Sequence, residues 1–151
     1  MYSVIEKLIS KQITVATAES ITGGLIAKLI TDVSGSSTIL KESFVVYSND
    51  AKVKILGVDK KLIDEFGVVS KEVAVDMCKK LKKLTDRDIC ISTTGNAGPT
   101  VCDDKPVGRV YVGINYHDNI NVYECNFSGS RDDIRNCTAK FIFEQIKNIL
   151  C

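Results

Sequence analysis

The chain has 151 residues, of which 44% are hydrophobic and 26% charged, and its formal net charge is +1. That length fits one domain, expected to span residues 1–151, and the apolar content excludes wholesale disorder. The near-neutral balance gives no global electrostatic case for nucleic acid or an anionic membrane, so neither is expected as a partner.

No membrane span is predicted, because the longest uncharged stretch, Ile89 to Cys102, is broken by Ser, Thr, Asn, Gly and Pro. Met1 to Glu6 lacks a basic segment leading into an apolar core, so no signal peptide is predicted and the expected location is the cytoplasm.

Val4, Ile5, Leu8 and Ile9 predict a helix over residues 2–11, and Ile13 to Ala18 reads as a buried strand. Residues 22–32 predict a second helix, with Leu25, Ile26, Leu29 and Ile30 inward. Thr38 to Tyr47 predicts a second strand. Asn49 to Leu56 and Lys60 to Phe66 read as short helices closed by Gly57 and Gly67, and Ser70 as the cap of a longer helix reaching about Leu84. In that helix Ala74, Met77, Cys78 and Leu81 form the inward stripe and Lys79, Lys82 and Lys83 a solvated face.

Ile89 to Thr94 predicts a third strand. Val107 to Tyr116 and Ile120 to Asn126 predict two more, joined by a hairpin turn at His117-Asp118-Asn119. Ser130 reads as the cap of a last helix whose first turn holds Asp132 and Asp133, with Ile134, Cys137, Phe141 and Ile149 buried. Helices and strands alternate and then a hairpin follows. The fold class expected is a three-layer α/β/α sandwich with a mixed, mostly parallel sheet.

Six cysteines are spread without a C-x-x-C pair, and His117 is the only histidine, so neither a metal site nor a disulfide framework is expected. Cys78, Cys90, Cys125 and Cys137 read as buried, and Cys102 and Cys151 as exposed.

Polar clusters follow three of the strands. Ala18-Glu19-Ser20-Ile21-Thr22-Gly23-Gly24 exposes backbone N–H groups suited to an anion or oxyanion, with Ser20 placed as a nucleophile or ligand hydroxyl. Alternatively, Ser20 or Thr22 merely caps the helix. In Tyr47-Ser48-Asn49-Asp50-Ala51-Lys52, Lys52 lies one helical turn past Ser48 and points back toward the strand end. Desolvated there, it would serve as a base; exposed, it is only a surface lysine. Thr93-Thr94-Gly95-Asn96-Ala97-Gly98-Pro99 is either a glycine-mediated approach to a ligand or an ordinary loop. Arg131 and Arg135 stand at a helix N-terminus, against its dipole. A bound phosphate would relieve that conflict, as would pairing with Asp132 or Glu124.

Taken in order, several blocks resemble one family. They are Thr17-Ala18-Glu19-Ser20-x-Thr22-Gly23-Gly24, Asp32-Val33-x-Gly35-Ser36-Ser37, Tyr47-Ser48-Asn49-x-Ala51-Lys52, Leu56-Gly57-Val58 and Gly67-x-Val69-Ser70. Gly95-x-Ala97-Gly98-Pro99, Lys105-Pro106-Val107-Gly108 and Phe127-Ser128-Gly129-x-Arg131 complete the set. The pattern is similar to the C-terminal domain family of the competence/damage-inducible protein CinA, a domain that also occurs alone as nicotinamide mononucleotide deamidase.

The resemblance implies an amidohydrolase that converts nicotinamide mononucleotide to nicotinate mononucleotide and ammonia without a cofactor, as a homo-oligomer. It implies Ser20 as nucleophile, Lys52 as base, Tyr47 and Thr94 as active-site residues, and Arg131 at the nucleotide phosphate. Glu19, Thr22, Gly23, Gly24, Asn49, Gly95, Ala97, Gly98 and Arg135 complete the expected substrate-binding set. Two departures stand out. Thr100, Val101 and Cys102 follow Pro99 where the family carries further glycines, and Ser130 stands where many members have an acid. The loop departure keeps open a binding module without turnover. The family's name raises a role as a partner protein in DNA uptake or repair.

Overall fold

In the computed structural model, which describes residues 1–151, five apolar and β-branched runs pair into one open sheet. They are β1 (Val15–Glu19), β2 (Leu40–Val45), β3 (Ile89–Gly95), β4 (Arg109–Tyr116) and β5 (Asn119–Asn126), in the order β2-β1-β3-β4-β5. β1 is parallel to β2 and to β3, and the β3–β4 and β4–β5 pairings are antiparallel. Four strands therefore point one way and only β4 is reversed, which is the mixed, mostly parallel sheet expected. β1 is buried along its whole length, as a central strand covered on both faces must be.

On one face lie α1 (Tyr2–Lys11), α2 (Leu25–Thr31) and α6 (Arg131–Ile149). Their Ile5, Leu8, Ile26, Ile30, Ile142 and Phe143 pack in one cluster with Val15, Ile89, Ile91 and Ile114. On the other lie α4 (Lys60–Phe66) and α5 (Lys71–Thr85), where Met77, Cys78 and Leu81 meet Ala16, Ala18 and Cys90. α3 (Asn49–Ala51) runs directly into a π-helical turn, Lys52–Leu56. The result is the three-layer sandwich.

Several boundaries differ from the sequence reading. Residues 21–24 form turns rather than helix, and Ser36–Thr38 is a 3-10 turn that delays β2. β4 begins two residues late, because Gly108 takes a left-handed φ of 87° and the Phe127 carbonyl fills the space a β-carbon would need. The hairpin turns on His117 and Asp118, both left-handed.

In α6 the inward stripe is Ile134, Thr138, Ala139, Ile142, Phe143 and Ile146. Cys137 is exposed, contrary to expectation, because that phase rotates it outward. Phe141 is half-buried, edge-on to Tyr123 and Phe127 of the β5 side, and Ile149 is also only partly covered. No helix is long and apolar enough to cross a membrane.

Candidate active site

Since β1, β2, β3 and β5 point the same way, the segments that leave them meet at one edge of the sheet. Ligands of open α/β sheets bind at such strand ends.

Ser20 follows β1 directly, and Glu19 determines what its side chain is free to do. The Glu19 carboxylate is wholly buried. Its Oε2 accepts from the N–H groups of Gly24 and Ile26 at 3.0 and 3.1 Å, and its Oε1 from Ala27 at 2.9 Å. It satisfies the orphan donors at the start of α2, the task the sequence reading offered to Ser20 or Thr22. Glu19, expected in the binding set, thus anchors the start of the helix and does not line the pocket. Glu19→Ala leaves three donors unpaired, that of Ile26 buried and those of Gly24 and Ala27 partly so, and is expected to cost about 3 kcal/mol, lowering the melting temperature by roughly 10 °C in a thermal denaturation scan.

The turn itself is pinned to the protein. The Ser20 N–H donates to Thr93 Oγ1 at 3.2 Å, and the hydroxyls of Thr93 and Thr22 lie 3.0 Å apart. The Thr22 carbonyl accepts from Arg135 Nη2 at 2.9 Å. Thr22 is buried, Gly23 and Gly24 supply left-handed φ values of 59° and 93°, and none of the three lines the pocket. Arg135 is likewise absent from the lining, because its guanidinium is spent on that carbonyl and, more weakly, on Asp132 at 3.4 Å.

With the backbone held, the Ser20 hydroxyl meets Lys52. Ser48 caps α3 through the Ala51 N–H at 3.0 Å, and Lys52 opens the π-helical turn, closed by left-handed Gly57. Such turns are frequent at functional sites. The Lys52 side chain is 1% exposed. Its Nζ lies 2.9 Å from Ser20 Oγ and 2.9 Å from the Val46 carbonyl. Neither partner is a carboxylate, so burial dominates and pushes the ammonium down to a pKa of about 8. The lysine does point back to the strand end, as its spacing from Ser48 predicts.

Across the pocket, Arg131 begins α6. Its Nη2 donates to Tyr47 Oη and its Nη1 to the Gly98 carbonyl, both at 2.7 Å. Neither partner is acidic. Glu124, one of the two pairings considered from sequence, is instead 2.8 Å from Arg109. Tyr47 remains well exposed at the mouth. Thr94 is buried and donates to the Val68 carbonyl at 2.8 Å, which leaves its oxygen able to accept but not to donate.

Gly95 admits no side chain, for a β-carbon would sit 2.7 Å from the Arg109 carbonyl and 3.0 Å from Ile21 Cδ1. The pocket brings together Ser20, Lys52, Tyr47, Asn49, Thr94, Gly95, Ala97 and Arg131. Gly98 contributes only the carbonyl that holds Arg131.

Six further lining residues had no role assigned from sequence: Ile21, Val68, Val69, Asn96, Thr100 and Cys102. Asn96 is informative. Its Nδ2 donates to the carbonyls of Cys102 and Lys105, both at 3.0 Å, and its Oδ1 accepts the Cys102 N–H at 2.9 Å. An asparagine inside a Gly-x-Ala-Gly-Pro loop is the one signal that pointed to it. Among all lining residues Lys52 and Arg131 are the only charged ones, so the pocket is electropositive.

An α/β/α sandwich with a buried serine–lysine pair at its strand ends defines a class of domain. The chain belongs to one such family, the CinA C-terminal domain, whose sequence model matches residues 1–150. The competence/damage inducible protein CihA of Agrobacterium tumefaciens is 33% identical with a TM-score of 0.91, the match covering 97% of this chain and 90% of that one. A CinA superfamily protein of Klebsiella pneumoniae is 25% identical with a TM-score of 0.94 over 99% and 94% of the two chains. A CinA-like protein of Kosmotoga olearia is 42% identical over 139 residues, 91% of this chain and 34% of that protein. The chain spans about a third of the length of the curated relatives it matches.

Proposed function

We propose that this pocket hydrolyses the carboxamide of nicotinamide mononucleotide, giving nicotinate mononucleotide and ammonia. The observation that carries the reading is the 2.9 Å contact between Ser20 Oγ and a buried lysine amine whose pKa is lowered to about 8. A lysine so desolvated is a base near neutral pH, and an adjacent base is what a serine needs to become a nucleophile.

Neutral Lys52 takes the Ser20 hydroxyl proton as Oγ bonds to the carboxamide carbon. The same proton then passes to the leaving nitrogen as the C–N bond breaks, releasing ammonia and an acyl-serine. Water, deprotonated by Lys52, cleaves the ester and restores Ser20. Arg131, with no carboxylate beside it, supplies the charge for the phosphate, and the absence of acidic lining suits an anionic substrate. Asn49 and Tyr47, open at the mouth, border the remainder of the nucleotide.

The test is ammonia release from nicotinamide mononucleotide by the purified protein. The rate should also carry the lysine's signature. Only the neutral amine is a base, so kcat/KM is expected to rise with pH and level off above a midpoint near 8, the pKa of buried Lys52. A flat profile from pH 6 to 9 would remove Lys52 from that role. Binding of the mononucleotide by calorimetry without ammonia release would favour a binding module.

A further inference from the structure

We infer that Arg135 is a positioning residue for Ser20: from α6 it holds the turn that carries the nucleophile and does not bind substrate. The inference rests on the reading of Ser20 as nucleophile. Arg135 lies in the second turn of α6, 113 positions from Thr22, yet its Nη2 donates to the Thr22 carbonyl at 2.9 Å.

That carbonyl also accepts the Leu25 N–H at 3.1 Å, and the Ser20 carbonyl accepts the Gly23 N–H at 3.0 Å, so the turn's remaining backbone bonds are internal to it. The Ser20 and Thr22 side of the turn is fastened to Thr93, and the Glu19 carboxylate takes N–H groups from Gly24 onward. Between those two anchorages Arg135 adds the tie from α6. A β-carbon on Gly23 would lie 3.7 Å from Arg135 Nη2, so the guanidinium also packs over the left-handed corner that turns the chain away from Ser20.

The placement accounts for a cation so near a helix N-terminus, where the dipole opposes it. The carbonyl, a charge-assisted acceptor, offsets that opposition, while the Asp132 contact at 3.4 Å adds little. Arg131, one turn earlier, reaches the pocket itself. The two arginines of α6 thus have separate tasks, one at the ligand and one behind the nucleophile. Loosening the turn lets Ser20 Oγ drift from Lys52 Nζ, which slows formation of the serine bond without touching the residues that hold substrate.

The experiment compares Arg135→Met and Arg135→Lys with the parent protein by two readouts. One is steady-state ammonia release from nicotinamide mononucleotide. The other is the second-order rate at which a fluorophosphonate labels Ser20, located by peptide mass spectrometry. In that labelling Ser20 Oγ bonds to phosphorus, fluoride leaves and Lys52 takes the hydroxyl proton, so it reports on the nucleophile whatever the natural substrate.

Arg135→Met is expected to lower both kcat and the labelling rate by about 30-fold, with KM within twofold of the parent. Arg135→Lys, which retains a donor for the same carbonyl, is expected to recover most of both. If Arg135→Met does not fold, Arg135→Lys decides: a near-parental labelling rate with parental KM supports the inference.

A raised KM with unchanged labelling in either variant overturns it in favour of substrate binding. Parental rates in Arg135→Met overturn it outright. Arg135→Lys no better than Arg135→Met overturns it in favour of simple packing. Labelling of Ser20 without ammonia release removes only the proposed substrate, and the labelling rates then test Arg135 alone. No labelling of the parent Ser20 overturns the inference together with the nucleophile reading beneath it.

Discussion

Ser20→Ala is expected to abolish ammonia release, lowering kcat by at least about 10⁴-fold, the scale seen when the nucleophile of a serine hydrolase is removed. The fold should survive intact. The Ser20 hydroxyl contacts only the Lys52 amine, its N–H remains on Thr93, and α2 is capped by Glu19. Removing one oxygen beside a pocket therefore leaves no buried donor of the backbone unpaired, and the melting temperature should stay within about 3 °C of the parent. Circular dichroism and ammonia release measured on the same preparation check both halves. A folded Ser20→Ala protein with near-parental turnover would exclude the serine mechanism.

Lys52→Met separates activity from stability more sharply, because the two move in opposite directions. Turnover is expected to fall by about 10³-fold or more, since methionine fills the space without a base. Stability at pH 7 is expected to rise. The folded protein holds the ammonium at a pKa of about 8, whereas an unfolded lysine titrates near 10.4. Below pH 8 the fold must keep a charge in a buried site, a cost of about 3 kcal/mol at most. Part of that gain is lost because the Val46 carbonyl forfeits its donor.

A net rise of about 2 kcal/mol, or roughly 5 °C, is the expected result. The sign of the pH dependence follows. Between pH 8 and about 10.4 the unfolded chain binds more protons than the folded one, so the parent gains stability with rising pH and Lys52→Met does not. The difference between the two melting temperatures should narrow from pH 7 to pH 9.5. A constant difference would show that burial does not perturb this lysine.

Much of this arrangement was legible in the chain. The alternation of elements implied the sandwich, and the polar clusters noted after three strands are the segments that meet in the pocket, because β1, β2 and β3 end at the same edge. The spacing of Ser48 and Lys52 foretold the direction of the lysine side chain. Other features depend on contacts between distant segments. Nothing local distinguishes Glu19 as a helix cap from Glu19 as a ligand contact; the three N–H groups it accepts decide that. Arg135 reads as a twin of Arg131 until α6 is laid against the turn after β1. Cys137 was misplaced because an apolar count along α6 does not settle its rotation, which the aromatic contacts of Phe141 with β5 help to set.

The reversal of β4 has a consequence for how such a pocket diversifies. The chain leaves β3 and re-enters β4 at the same end of the sheet, so residues 96–108 form an excursion that starts and finishes beside the pocket. Its base is clasped by the Asn96 N–H on the Arg109 carbonyl at 3.0 Å and the Gly108 N–H on the Asn96 carbonyl at 2.8 Å. Within it, residues 99–101 lie between the Gly98 carbonyl that holds Arg131 and the Cys102 backbone that Asn96 holds, and a change of length there carries little penalty, since loop-closure entropy grows only logarithmically. The strands, Ser20 and Lys52 are untouched by such changes. A longer or shorter segment there would reshape the rim above Ser20 and Lys52 without moving either, and Thr100-Val101-Cys102 is the rim this chain carries.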